Sequence, residues 1–151
     1  MVTASRGIFI GLPKKSKMSV NFITILVATE RELFSLADLT ARLGEEPLAL
    51  AAISASELLH GVHRASSPAV RERRQHFVEY ILDLFPVIPF DLEAARIHAA
   101  LWARLQEDGQ MIGAHDLIIA ATARSLDFGL ITLNVDEFRR VPELKWLNPL
   151  G

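Results

Sequence analysis

The stretch "IGAHDLIIAATA", residues Ile112 to Ala123, sets one carboxylate, Asp116, at the head of a run that is otherwise almost wholly apolar. From Leu117 to Ala123 a helix would be apolar all round, and such a helix has to be covered on every side. It belongs at the centre of a layered domain. The segments around it supply the layers. "PLALAAI" (Pro47–Ile53) is a short apolar run, read as a strand over Leu48–Ile53, and "SASELLHGVHRA" after it takes up helical periodicity. Pro68–Phe85 carries Val70, Phe77, Val78, Ile81, Leu82 and Leu84 among charges, an amphipathic helix opened by proline and stopped before Pro86. "FPVIPF" (Phe85–Phe90) is another short strand. Asp91 is placed to cap a helix over Leu92–Glu107, with Leu92, Ala95, Ala99, Trp102 and Leu105 on one face and Gly109 just past its end. After Gly129, "LIT" reads as a strand and "NVDEF" as the opening of a brief helix. Strands that alternate with helices, in continuous rather than alternating apolar runs, predict an α/β fold: a parallel sheet covered by helices on both faces.

Bulk properties agree with one domain of this kind. The chain has 151 residues, half of them hydrophobic, enough for a two- or three-layer core. With no cysteine, disulfides and thiolate metal sites are excluded, and a reducing cytoplasm is the expected compartment. A formal charge of -2 excludes a generally basic nucleic-acid binder while leaving local patches open. Gly7–Leu12 is too short for a signal peptide's apolar region, and no stretch approaches the roughly 20 apolar residues of a membrane span. No repeat, linker or low-complexity tract interrupts the pattern.

Ligands of open parallel sheets bind at the carboxyl ends of the strands. Glu57 follows the strand Leu48–Ile53, Thr132 and Asn134 follow Leu130–Ile131, and Asp116 opens the buried helix, so separate segments would deliver oxygen atoms to one edge. Hard oxygen donors without cysteine favour Mg2+ or Mn2+ over zinc. Each residue also has a purely structural reading. Ser54 and Glu57 form a capping-box signature. Asp116 in a first turn complements the helix dipole, and Asn134, three residues before Glu137, is a second candidate cap. His60 lies three residues after Glu57, as in di-iron bundles, but such sites need a second copy of the motif, and a half-buried helix face accommodates His60 and His63 equally well.

Taken together, "ISASELLHGVHRA", "IGAHDLIIAATA" and "LITLNVDEF", in this order and spacing, resemble the PIN-domain ribonucleases, in particular the VapC-type toxins of bacterial toxin–antitoxin pairs. The resemblance runs from about Ile25 to Pro149. It implies a three-layer α/β/α domain with a mainly parallel central sheet, usually a homodimer, that cleaves RNA with Mg2+ or Mn2+ held by clustered acids and is inhibited by a VapB-type antitoxin. By position it makes Glu57 the acid after the second strand and Asp116 the central metal-binding acid. Thr132 becomes the hydroxyl near the phosphate, and Asn134 stands where many relatives have a fourth acid, with Asp136 as a candidate substitute. The metal ligands carried over are Asp116 and Glu57.

The front of the chain departs from this pattern. The family opens with a hydrophobic strand followed at once by Asp-Thr-Ser or Asp-Thr-Asn. Here "GIFI" (Gly7–Ile10) is followed by Gly11, whereas an ungapped alignment back from Ile25 puts Phe22 at the aspartate position and leaves Thr24 as the one hydroxyl. Neither supplies a carboxylate. The first alignment is the preferred one, since "GIFI" joined to "ILVATERE" would make an ordinary family start. Residues 1–24 then form an atypical segment containing a possible first strand, and 25–151 the PIN-like part of a single domain. Lys14, Lys15 and Lys17 read as a solvated loop. The expected function is a metal-dependent endoribonuclease toxin weakened by the lost ligand. The alternative is a catalytically inactive PIN-like protein that still dimerises and binds an antitoxin. A small-molecule-binding α/β domain lacks support, because there is no glycine-rich phosphate loop.

Overall fold

The computed structural model describes residues 8–10, 41 and 48–149. In chain order they form β1 (Ile8–Ile10), β2 (Leu50–Ala51), α1 (Ala52–His63), α2 (Pro68–Leu84), β3 (Val87–Ile88), α3 (Leu92–Glu107), α4 (Ala114–Ser125), β4 (Gly129–Ile131), α5 (Val135–Phe138) and β5 (Trp146–Leu147). β2 pairs with β3 in parallel, Leu50 opposite Val87, and β4 pairs with β5 in parallel, Leu130 opposite Trp146.

Strand alternation sorts the core into two halves. Leu50 and Ile131 point to one side, where they pack with Leu58 and Val62 of α1 and with Val78 and Ile81 of α2. Their neighbours Ala51 and Leu130 point to the other, against Leu101 and Leu105 of α3, Leu117 and Ile119 to Ala121 of α4, and Phe138 of α5. Helices therefore cover both faces of the strands, the α/β/α layering expected. The helix that is apolar all round is buried along Leu117 and Ile119–Ala123.

Local signals explain the helix ends. Asp91 Oδ1 accepts the Ala94 amide at 2.9 Å, and Ser67 Oγ accepts from Val70 ahead of Pro68. α3 closes through Gly109, whose positive φ of 64° suits glycine and lets the Gln110 amide return to the Leu105 carbonyl at 2.8 Å.

Three expectations are corrected. The strand predicted over Leu48–Ile53 is only Leu50–Ala51, because Ala52 and Ile53 already belong to α1; their apolar character serves a helix packed on the sheet. The apolar face predicted for α3 is buried only at Leu105. Ala94, Leu101 and Leu105 are buried, whereas Leu92 is 68% and Trp102 52% exposed. The helix carries alanines on both faces, so its apolar pattern does not discriminate between them.

The third correction concerns the front of the chain. A strand does form at Ile8–Ile10, but it runs antiparallel to β4, with Ile8 opposite Ile131 and Ile10 opposite Gly129. It leaves the sheet at the end where β4 begins, opposite to the edge that carries Thr132 and Asn134. That direction removes the reason to place Gly11 at the first acidic position. Gly11, Phe22 and the lysines at 14, 15 and 17 themselves lie outside the described residues. No helix among the described residues is long and apolar enough to cross a membrane.

Candidate metal and phosphate site

Asp116 lies in the first turn of α4 and is fully buried. A buried carboxylate is tolerated there because the free amides at a helix N-terminus carry partial positive charge. Asn134, immediately before α5, turns its side chain back so that Nδ2 donates to Asp116 Oδ2 at 3.3 Å. The Asn134 backbone amide donates to Thr132 Oγ1 at 2.9 Å, a short side-chain turn that fixes the loop leaving β4. Thr132 is itself fully buried, and its amide donates to the Leu147 carbonyl at 3.0 Å, so the hydroxyl sits on the sheet edge.

Glu57 reaches the same place from α1. Its Oε1 accepts from His115 Nδ1 at 2.8 Å, and His115 is the residue next to Asp116. The other oxygen, Oε2, is buried and makes no hydrogen bond. Glu57, His115, Asp116, Asn134 and Thr132 thus form one continuous constellation at the carboxyl ends of β2 and β4.

Of the four residues expected from sequence, Asp116, Asn134 and Thr132 are linked by hydrogen bonds and Glu57 is bonded to His115 beside Asp116, and the structural alternatives for two of them fail. α1 begins at Ala52 with Ala51 at its cap, so Ser54 lies inside the helix and the capping box does not form; Glu57 turns to His115 instead. Asn134 occupies the cap position of α5 but makes no side-chain cap, its amide being directed to Asp116. Asp136, the candidate substitute acid, is 86% exposed and pairs with Arg139 at 3.3 Å, away from the site. His60 and His63 are exposed, and among the described residues no three histidine, cysteine or acidic side chains converge as metal ligands.

Two contributors were missed. His115 bonds a residue 58 positions away, a contact that no local spacing announces. Glu137 Oε2 accepts the Gly113 amide at 3.2 Å and so ties α5 to the start of α4. It reads in sequence only as the partner of an Asn134 cap.

The donor set suits a hard divalent cation. Mg2+ is commonly held by one or two carboxylates, with water and substrate phosphate completing its shell. Here Glu57 is bonded to His115, the neighbour of Asp116 in sequence, and Glu57 Oε2 makes no hydrogen bond. A cation would meet the electrostatic demand of that oxygen.

Comparison with known proteins gives this constellation a family. The family model described as the PIN domain matches residues 21–144. The ribonuclease VapC of Rickettsia bellii is 39% identical over 92 residues, 61% of this chain and 69% of that protein. Ribonuclease VapC1 of Rickettsia felis is 38% identical over 92 residues, with the same shares covered. Among solved structures, VapBC2 from Rickettsia felis bound to a DNA fragment from its promoter superposes with a TM-score of 0.74 at 26% identity, covering 82% of this chain and 92% of that one. The chain belongs to the PIN domain family, in its VapC-type branch. The matched stretch begins at residue 21, so it contains Phe22 and not Gly11.

Proposed function

We propose that this chain is a divalent-metal-dependent endoribonuclease toxin of a VapBC-type pair, weakened by the loss of its first acidic ligand. The observation that supports the reading is the run of hydrogen bonds from Thr132 through Asn134 to Asp116, with Glu57 bonded to His115 next to Asp116. Asp116 and Glu57 would hold Mg2+ or Mn2+. When bound, such an ion supplies Lewis acidity to a phosphate oxygen and a more acidic attacking water. The chain's own groups do the remaining work. Asn134 keeps the Asp116 carboxylate turned to the edge by donating to one of its oxygens. Thr132 Oγ1 accepts the Asn134 amide and so fixes the loop that carries Asn134 towards Asp116. Without metal, the two carboxylates would repel an RNA backbone, so cation and substrate binding are coupled by charge.

The remaining partners follow from the same reading. The chain forms a homodimer through the face of α3 that carries Leu92 and Trp102, apolar surface that the core leaves uncovered. A VapB-type antitoxin restrains it, as the VapBC assembly among the structural relatives suggests, and both act in the cytoplasm.

A second reading is favoured by one feature, the absence of a carboxylate at both Gly11 and Phe22. In it the protein is catalytically inactive and acts by dimerising and binding an antitoxin. An RNA cleavage assay over a range of Mn2+ concentrations, comparing the parent with Asp116→Asn, separates the two. Metal-dependent cleavage abolished by the substitution supports the enzyme; no cleavage by either folded protein supports the inactive binder.

A further inference from the structure

Glutamate is a poorly fixed ligand, because its carboxylate lies at the end of three rotatable bonds. Asp116 is held by burial and by Asn134. Glu57, on α1, is gripped instead by a residue of α4. His115 Nδ1 lies 2.8 Å from Oε1, and since an ionised carboxylate only accepts, Nδ1 carries the hydrogen and donates. Glu57 is 16% exposed and His115 54%, so the imidazole closes over the glutamate from the solvent side. Successive helix residues point about 100° apart, a consequence of 3.6 residues per turn. His115 therefore reaches sideways to Glu57 while its neighbour Asp116 is buried.

We propose that His115 is a positioning residue for the metal centre: by occupying Oε1 of Glu57 it presents Oε2 to the divalent cation. The inference rests on the metal-dependent reading above and goes beyond it by naming the group that orients a ligand. Hydrogen bonds to ligating carboxylates fix their geometry, and losing such outer contacts typically weakens metal binding about 10–100-fold. The pair has little other purpose. A single side-chain hydrogen bond with one exposed member contributes only modestly to stability, so its removal should leave the chain folded.

Mn2+ titration calorimetry, with thermal unfolding to confirm that each protein is folded, tests this on the parent, Asp116→Asn, Glu57→Ala, His115→Ala, His115→Asn and the Glu57→Ala/His115→Ala double variant. His115→Ala should bind Mn2+ about 10–100-fold more weakly. His115→Asn, whose amide nitrogen stands near the position of Nδ1, should recover most of that loss. In the Glu57→Ala background, removing the histidine should change nothing further. Parent-like binding by His115→Ala beside a loss in Glu57→Ala overturns the positioning role and leaves the metal site standing. An undiminished histidine effect in the Glu57→Ala background, or an asparagine variant no better than alanine, also overturns it. Equal binding, or none, in both the parent and Asp116→Asn defeats the metal reading itself and the inference with it.

Discussion

Asp116 tests what a buried acid at a helix N-terminus is for. A role confined to complementing the helix dipole would make Asp116→Asn cost about 0.3–1 kcal/mol, the usual worth of a charge in the first turn. If the carboxylate serves a cation, its burial is a burden in the metal-free protein. The substitution should then leave metal-free stability unchanged or raise it, since Asn keeps the shape and loses the charge. Urea unfolding in chelator measures this, and a loss in that range would favour the dipole role. Asn134 offers the reverse experiment. Its Nδ2 lies 3.3 Å from Asp116 Oδ2, so Asn134→Asp sets a second carboxylate against the first. Two acids so close share a raised apparent pKa and repel each other without metal. The variant should melt lower than the parent in chelator and gain more from saturating Mn2+, because a tighter ligand shifts unfolding further. An Mn2+ increment equal to the parent's would count against Asn134 as part of the site.

At the scale of elements, α3 carries the clearest lesson about what can be read from residues. Its limits, Leu92–Glu107, were legible because Asp91 and Gly109 act within one turn of the helix. Its buried face was not, because alanine is apolar on either side and only the packing against α4 decides. Leu101→Ala should therefore cost roughly 2–5 kcal/mol, while Leu92→Ala should change monomer stability by no more than about 0.5 kcal/mol. Chemical denaturation that ranked them the other way would restore the sequence-based face. On the same helix, His98 lies edge-on between Phe90 and Trp102, at 5.6 and 5.9 Å. Burial holds its imidazole below the ordinary value of 6.5. The folded state thus resists a proton that the unfolded chain accepts, and the stability this contributes is present above pH 6.5 and lost as pH falls towards the folded pKa. His98→Gln should flatten the decline of unfolding free energy between pH 7 and 5; an identical slope in both proteins would contradict the burial effect. The His115–Glu57 contact was not legible at all, since it exists only once α1 and α4 have packed.

The whole molecule collects its polar groups at one edge because β2 and β4 each end in a helix or loop that turns there. That much was readable from the order of apolar runs: Asp116, Asn134 and Thr132 are linked by hydrogen bonds, and Glu57 is bonded to His115 beside them. The strand at Ile8–Ile10 was readable too, but not its direction. Three apolar residues pair equally well either way, and the antiparallel pairing with β4 carries the chain off at the opposite end. Phe22 lies inside the family match and Gly11 outside it, so we propose Phe22 as the position where an acid is missing. On the proposed reading Asp116 is a metal ligand deprived of a partner. Phe22→Asp should restore one. RNA cleavage measured against Mg2+ concentration for the parent, Phe22→Asp, and Phe22→Asp/Asp116→Asn tests this most directly. The second protein should be active at lower Mg2+ and reach a higher maximum, both gains being lost in the third; a folded Phe22→Asp protein no more active than the parent at any Mg2+ concentration would show that Asp116 is not waiting for such a partner.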